Sequence, residues 1–151
     1  MFLSTTTNNL DAKGRVSVPS DFRAVVGDGN FDGIIVWPSF DGPYLEGGGI
    51  ALIEDYARSL KTMDYYDEAR DNLQRAIFAE SRRLSFDSGG RVTLPKDLAE
   101  YANLSGSATF VGLGEKFEIW NTQDHEAKRA EVRAKAREYR NRLVSLEKAG
   151  A

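Results

Sequence analysis

The stretch "LDAKGRVSVPSDFR", residues 10–23, occurs a second time in altered form as "FDSGGRVTLPKDLA", residues 86–99. Six of the fourteen aligned positions are identical, far more than two unrelated stretches would share. The identical pairs are Asp11/Asp87, Gly14/Gly90, Arg15/Arg91, Val16/Val92, Pro19/Pro95 and Asp21/Asp97. An internal repeat of this kind indicates a chain built from two related structural units.

Each copy of the repeat is followed by the same order of elements. A short apolar strand comes first, "GIIVW" (33–37) in one half and "ATFVGL" (108–113) in the other. A second strand follows near "PYLEG" (43–47) and "KFEIW" (116–120), and each half then continues into helix. We therefore predict an α+β protein: one domain made of two homologous halves, residues 1–81 and 82–151.

Two helices are predicted between the halves as a hairpin. The first carries an apolar stripe formed by Ile50, Ile53, Tyr56, Ala57 and Leu60, and the second, over about 65–81, one formed by Ala69, Leu73, Ala76 and Ile77. The three glycines Gly47, Gly48 and Gly49 are interpreted as a flexible joint leading into the first helix.

A last helix is predicted to begin near Thr122 or Asp124, either of which could cap it. Its stripe consists of Val132, Ala136, Tyr139, Leu143 and Leu146, which is heptad-like but short for an isolated coiled coil. We expect the stripe to pack on another subunit or on the β structure. Its charged face pairs Glu with Lys or Arg at helical spacing, as in Glu131–Lys135, which is typical of a solvated surface.

Composition excludes several classes of protein. The chain of 151 residues is 41% hydrophobic and 28% charged, which suits a globular core. It has no run of about 18 apolar residues, so no transmembrane helix is expected. Cysteine is absent and His125 is the only histidine, so neither a disulfide framework nor a metal site is expected. The start "MFLSTTTNN" lacks the features of a signal peptide, and we expect a cytoplasmic protein.

Charge is distributed unevenly. The net charge is −3, which does not by itself suggest a nucleic-acid-binding protein. Of 20 Lys/Arg and 23 Asp/Glu, eight and five lie in residues 123–148, which leaves 12 and 18 elsewhere. Any contact with nucleic acid must therefore use small local patches, or many copies of one patch.

The repeated motif predicts a tight turn followed by a strand. Asp11 can accept hydrogen bonds from backbone N–H groups two residues on, and Gly14 can adopt a positive φ. In the strand, Val16 and Val18 alternate with Arg15, so the arginine points away from the core. Asp87 and Gly90 take the same structural roles in the second copy, and Ser20 is a candidate cap for the helix after the first copy.

Two roles are open for the charged residues of the motif. Asp11 and Arg15 can pair with each other or across a pseudo-twofold axis, and we favour a structural role for the aspartate. Arg15 stands beside Lys13 and Gly14 on a tight loop, which suits contact to guanine or phosphate. The second copy has Gly89 in place of Lys13, so we interpret Arg91 as structural or as a weaker backbone contact.

The segments "NLDAKGRVSVPSDFR", "DSGGRVTLP" and "FVGLGEKFEIW" together resemble the MraZ family, whose members carry two Asp-x-x-x-Arg motifs in one chain. The resemblance covers nearly the whole chain in order. It implies a pseudo-duplicated AbrB-like swapped-hairpin (double-psi) β-barrel with a helical hairpin between the halves and a C-terminal helix.

The resemblance also implies a function. MraZ proteins resemble DNA-binding transcriptional regulators of the division and cell-wall gene cluster, which bind repeated promoter boxes and assemble into rings. By this resemblance Arg15 is the principal DNA-contacting residue, with Lys13 as a basic neighbour, and the protein is a nucleoid-associated repressor without a cofactor. Leu3 departs from the family, since many relatives have a basic residue there.

Three other functions compete with this interpretation. "FDSGG" contains Asp-Ser-Gly, and Asp11 with Asp87 could form a carboxylate pair as in aspartic proteases. Lys13 disfavours this reading because it stabilises the ionised form of Asp11, and we expect no enzyme activity. An AbrB-like antitoxin and a nonspecific nucleoid-binding protein remain as alternatives from the class of binding proteins.

Overall fold

The computed structural model describes residues 1–27 and 30–143. It comprises two compact units, one over Met1–Asn121 and a second that begins at Thr122. All the strands of the described residues lie in the first unit, together with every helix except the last.

Strands and helices follow the predicted order, and they repeat between the two halves. The strands are β1 Thr5–Asn9, β2 Arg15–Ser17, β3 Gly33–Pro38, β4 Leu45–Gly48, β5 Arg82–Ser85, β6 Arg91–Thr93, β7 Ser107–Gly112 and β8 Phe117–Trp120. The helices are α1 Ser20–Val26, α2 Ile50–Lys61, α3 Glu68–Gln74, α4 Lys96–Tyr101 and α5 Thr122–Glu138, with a π-helical turn at Arg75–Ala79. The α+β class is therefore confirmed.

The sheet order reveals a pseudo-twofold axis. A six-stranded antiparallel sheet runs β1-β7-β8-β4-β3-β5, and a separate ribbon pairs β2 with β6. The repeat matches β1 to β4 with β5 to β8. Exchanging each strand of the six-stranded sheet for its match gives the same order in reverse. The axis therefore passes between β4 and β8 in the sheet and between β2 and β6 in the ribbon.

Each half donates its first strand to the other half. β1 pairs with β7 of the second half, and β5 pairs with β3 of the first. This exchange is consistent with a swapped-hairpin fold. One apolar core lies across both halves, with Phe2, Phe22 and Phe117 in mutual contact at ring-centroid distances of 5.1 to 5.4 Å. Because the halves share strands and core, neither buries its apolar face without the other.

The glycines before α2 are packed, so the predicted flexible joint is wrong. Gly47 and Gly48 form the end of β4 and are buried. A Cβ on Gly47 would lie 2.8 Å from the Phe117 ring, and one on Gly48 would lie 2.7 Å from Leu52. Small residues are needed here because a strand, a ring and a helix approach each other closely.

The helical region between the halves differs from the prediction in two respects. The single helix expected over 65–81 is instead α3 followed by the π-helical turn. In this region Ile77 is buried, whereas Ala69 is exposed. A small second core joins Ile77 to Trp37 of β3 and Leu52 of α2, a residue that the predicted stripe did not include.

Two helix starts can be compared with expectation. The last helix begins at Thr122, as predicted. The first helix begins at Ser20 itself, after Pro19, and no side chain caps it, so the capping role predicted for Ser20 is wrong. Pro19 and Pro95 precede α1 and α4 with nearly the same backbone angles, φ −50° and −57°.

The second unit is described as far as residue 143. In α5 no residue is buried, and of the predicted stripe Val132 is 49% exposed. Tyr139 and Leu143 are 50% and 64% exposed, and Leu146 lies outside the described residues. Packing of this stripe on another subunit or on the β structure stays a prediction.

Candidate nucleic-acid interface

The aspartate of each repeat organises its turn. In the first copy Asp11 Oδ1 accepts hydrogen bonds from the backbone N–H groups of Lys13 and Arg15 at 3.0 and 2.8 Å. Gly14 closes the turn with a φ of +83° and donates its N–H to the carbonyl oxygen of Asp11. The hydrogen bonds expected of Asp11 and the positive φ expected of Gly14 are thus both present, and a structural role for the aspartate stays our interpretation.

The arginine of the motif pairs with the same aspartate. Arg15 Nε donates to Asp11 Oδ2 at 2.7 Å, and both side chains are 38% exposed. Because the contact uses Nε, the Nη1 and Nη2 groups of Arg15 are left without a hydrogen-bond partner in the described part of the chain. An oriented guanidinium with both of its terminal NH2 groups to spare is suited to bidentate contact with guanine or phosphate.

The second copy repeats this geometry closely. Asp87 Oδ1 accepts from the N–H groups of Gly89 and Arg91, both at 2.9 Å, and Arg91 Nε donates to Asp87 Oδ2 at 2.9 Å. Gly90 has a φ of +77°. The Asp–Arg geometry therefore does not distinguish Arg91 from Arg15, and the weaker role predicted for Arg91 depends only on the Gly89 beside it.

Backbone amides set the charge state of both aspartates. The Arg15 N–H, helped by the guanidinium, holds the pKa of Asp11 below its ordinary value of 3.8. The Arg91 N–H has the same effect on the pKa of Asp87. A carboxylate dyad that shares a proton needs one raised pKa, whereas the pKa of each of these aspartates is lowered.

The β2–β6 ribbon presents both arginines on one surface. Val16 lies opposite Val92 at its centre, and both valines are 1% exposed, so they point into the core. Arg15 lies opposite Thr93, and Arg91 opposite Ser17, on the other surface of the ribbon. A two-stranded ribbon with outward-facing arginines has dimensions that fit the major groove of B-DNA.

The two turns are locked to the opposite halves of the molecule. Leu94 donates its N–H to the Gly14 carbonyl oxygen at 2.8 Å, and Val18 donates to that of Gly90 at 3.2 Å. Hydrogen bonds thus join the ribbon and its turns into one surface. No local pattern in the sequence predicts these two bonds, since they join residues 80 and 72 positions apart.

Two further residues singled out in the sequence, Lys13 and Leu3, can be located. Lys13 is exposed at the tip of the first turn, and Leu3, at 59% exposure, offers no charge to a phosphate. Within residues 1–27 and 30–143, no group of acidic or histidine side chains could hold a metal ion. No helix of the described residues is both long and apolar enough to cross a membrane.

Comparison with known proteins identifies the family. A profile of the family described as MraZ protein, antitoxin-like, matches residues 1–38 and 77–145. The chain belongs to the MraZ family. The segment that the profile leaves unmatched includes β4, α2 and α3.

Relatives extend the match over most of the chain. The chain is 45% identical over 126 residues to "Transcriptional regulator MraZ" of Rickettsia canadensis strain McKiel, covering 83% of this chain and 85% of that protein. It is 43% identical over 138 residues to the protein of the same name from Caulobacter vibrioides strain NA1000, covering 91% and 88%. With the Phenylobacterium zucineum protein of this name it shares 41% identity over 138 residues.

Proposed function

We propose that the protein is a transcriptional regulator that binds double-stranded DNA through the outer surface of the β2–β6 ribbon. The observation that carries the proposal is the pair of arginines, Arg15 and Arg91, each held by its aspartate on the same surface of the ribbon. The names of its MraZ relatives support regulation of transcription. In this proposal Arg15 reads bases, Lys13 and the Gly14 turn adjoin the DNA backbone, and Arg91 makes the pseudo-symmetric contact.

The finer parts of the function extend the same proposal. The targets are repeated boxes in the promoter of the division and cell-wall cluster, where the protein acts as a nucleoid-associated repressor. An acidic chain with a small basic surface neutralises few phosphates and binds weakly as one copy. A homo-oligomeric ring that presents several ribbons to repeated boxes gains affinity through effective concentration, which reconciles specific binding with a net charge of −3.

The decisive experiment replaces Arg15 by alanine. We expect Arg15→Ala to reduce affinity for DNA from upstream of the protein's own coding sequence by roughly 5- to 150-fold, since one good bidentate base contact is worth roughly 1–3 kcal/mol. The measurement is a fluorescence-anisotropy titration at fixed salt. Circular dichroism and size-exclusion chromatography should show an unchanged fold and assembly.

Arg75→Ala is the matched control. Arg75 pairs with Asp71 through Nε at 2.9 Å in the same i,i+4 arrangement, so its removal deletes the same charge and the same kind of ion pair away from the ribbon. Equal effects of the two substitutions would overturn the site. Equal affinity of the unaltered protein for intact and scrambled boxes would instead favour a nonspecific nucleoid-binding protein.

A further inference from the structure

A surface depression of about 740 Å³ lies directly beside the ribbon. Its walls come from the Asp11–Gly14 turn of the first half and from the segments 93–96 and 104–106 of the second. Thr93, which lies opposite Arg15 in the ribbon, belongs to this lining. The depression therefore begins next to the proposed base-reading arginine.

Two lysines from different halves border this depression. Lys13 comes from the first turn, and Lys96 is the first residue of α4. The repeat has no lysine at the matching positions, where Gly89 stands for Lys13 and Ser20 for Lys96. The bond from Leu94 N–H to the Gly14 carbonyl oxygen brings the two segments together, so both extra lysines lie on one side of the pseudo-twofold axis.

Neither lysine is effectively neutralised. Lys13 forms no ion pair within the described residues. The nearest carboxylate to Lys96 is that of Glu100, at 4.0 Å, with side-chain exposures of 92% and 69%, so this pair contributes little. The third charged residue of the lining, Asp11, is already paired with Arg15. The depression thus carries a net positive charge.

On the other side of the axis, the side chain of Arg23 occupies the space beside Gly90. Arg23 of α1 donates Nε to the Val18 carbonyl oxygen at 3.2 Å, and its guanidinium packs against Gly90 closely enough to exclude a Cβ there. The repeat counterpart of Arg23 is Ala99, whose small side chain lines the depression instead of filling it. The pair of lysines therefore belongs to one side of the axis, and a guanidinium that packs on the turn stands on the other.

We propose that Lys96, together with Lys13, binds a phosphate of the DNA backbone in this depression, beside the base contacted by Arg15. The proposal rests on the proposed function and adds a DNA-binding residue from the second half. A lysine ammonium is a compact charge suited to a phosphate oxygen, and phosphate contacts fix register and orientation. Because the ribbon is pseudo-symmetric, this one-sided contact makes one orientation on the DNA more favourable than the reverse.

The test measures the salt dependence of binding for Lys96→Gln with the same upstream duplex. Loss of one phosphate contact should lower affinity several-fold on any sequence and reduce the slope of log K against log salt by about 0.9 for each protomer bound. Lys96→Arg should retain the slope, since it keeps the charge. Because Lys96 is 92% exposed, these variants should fold normally.

Lys61→Gln is the control for net charge, because Lys61 is an exposed lysine at the end of α2, outside the depression. The proposal would be overturned if the slope of log K against log salt were the same for Lys96→Gln as for Lys61→Gln. In that case a loss of affinity in Arg15→Ala would still support the DNA-binding ribbon. If Arg15→Ala also had no effect, the proposed function itself would fail. The two failures are therefore distinguishable.

Discussion

Gly14 shows how much one residue controls at the candidate interface. Its positive φ closes the turn that orients Arg15, and its carbonyl oxygen accepts the bond from Leu94. A Cβ at this position would lie 2.8 Å from the Leu94 carbonyl oxygen, which is backbone and cannot rotate away. The glycine is thus required both by conformation and by space.

Gly14→Ala should destabilise the protein more than Gly106→Ala does. Gly106 has a φ of +76°, but nothing lies within 4 Å of an added Cβ, so that variant suffers only the conformational strain of roughly 1–2 kcal/mol. Gly14→Ala adds a steric clash and should approach about 3 kcal/mol. Urea denaturation of both variants tests this, and equal losses would show that the contact with Leu94 yields without cost.

At the scale of elements, the central strands carry a like-charge pair at the pseudo-twofold axis. Glu46 of β4 lies directly opposite Glu118 of β8, an arrangement that is unfavourable for two carboxylates. Lys116 Nζ donates to Glu46 Oε1 at 2.6 Å, and Trp120 Nε1 donates to Glu118 Oε1 at 2.8 Å. Burial raises the pKa of Glu118, while for Lys116 the desolvation is outweighed by Glu46, so its pKa is also raised.

Lys116→Met should therefore weaken the join between the halves. It leaves Glu46, which is 5% exposed, without its counter-charge, and breaking a buried pair in this way costs 3–5 kcal/mol when both groups are fully buried. With Lys116 itself 32% exposed, we expect about 2 kcal/mol. The free energy of unfolding in urea measures this cost.

Lys96→Met is the control for this experiment, since the Lys96–Glu100 pair is exposed and should contribute less than about 0.5 kcal/mol. Adding Glu46→Gln to Lys116→Met should recover part of the loss. A loss as small as that of Lys96→Met would show that Glu46 is adequately solvated without the lysine.

At the scale of the whole molecule, the strand exchange makes the halves interdependent. β1 of the first half has its sheet partner in β7, and β5 of the second half has its partner in β3. The shared core also draws residues from both halves. These contacts support the proposal that residues 1–81 and 82–151 are halves of one folding unit.

Separate expression of residues 1–81 and 82–151 tests this proposal. Each fragment as a monomer lacks the partner of an edge strand and part of its core, so we expect no cooperative thermal transition by circular dichroism. An equimolar mixture should recover the spectrum and the transition of the intact chain. Cooperative unfolding of either monomeric fragment would instead make the halves independent domains.

Local patterns in the sequence were sufficient for most of the elements and for the Asp–Arg motif. The residue types of the turn predict the roles of Asp11 and Gly14, and the alternation of apolar residues predicts that Val16 lies in the core, because these signals act over a few residues. The repeat extends the same predictions to the second copy. The sequence failed at Gly47 and Gly48, where glycine is required by packing against distant residues rather than by flexibility.

No local pattern in the sequence predicts that Lys13 and Lys96 border the same depression. Their placement depends on the crossing of the two halves. Hydrogen bonds between residues far apart in the chain, such as that from the Leu94 N–H to the Gly14 carbonyl oxygen, hold this crossing in place. By the same crossing, Arg23 occupies the space beside Gly90, whereas Ala99 lines the open depression. The two turns have nearly the same sequence and conformation, but their surroundings differ. The physical reason is that contacts between residues far apart in the chain place different side chains beside each turn.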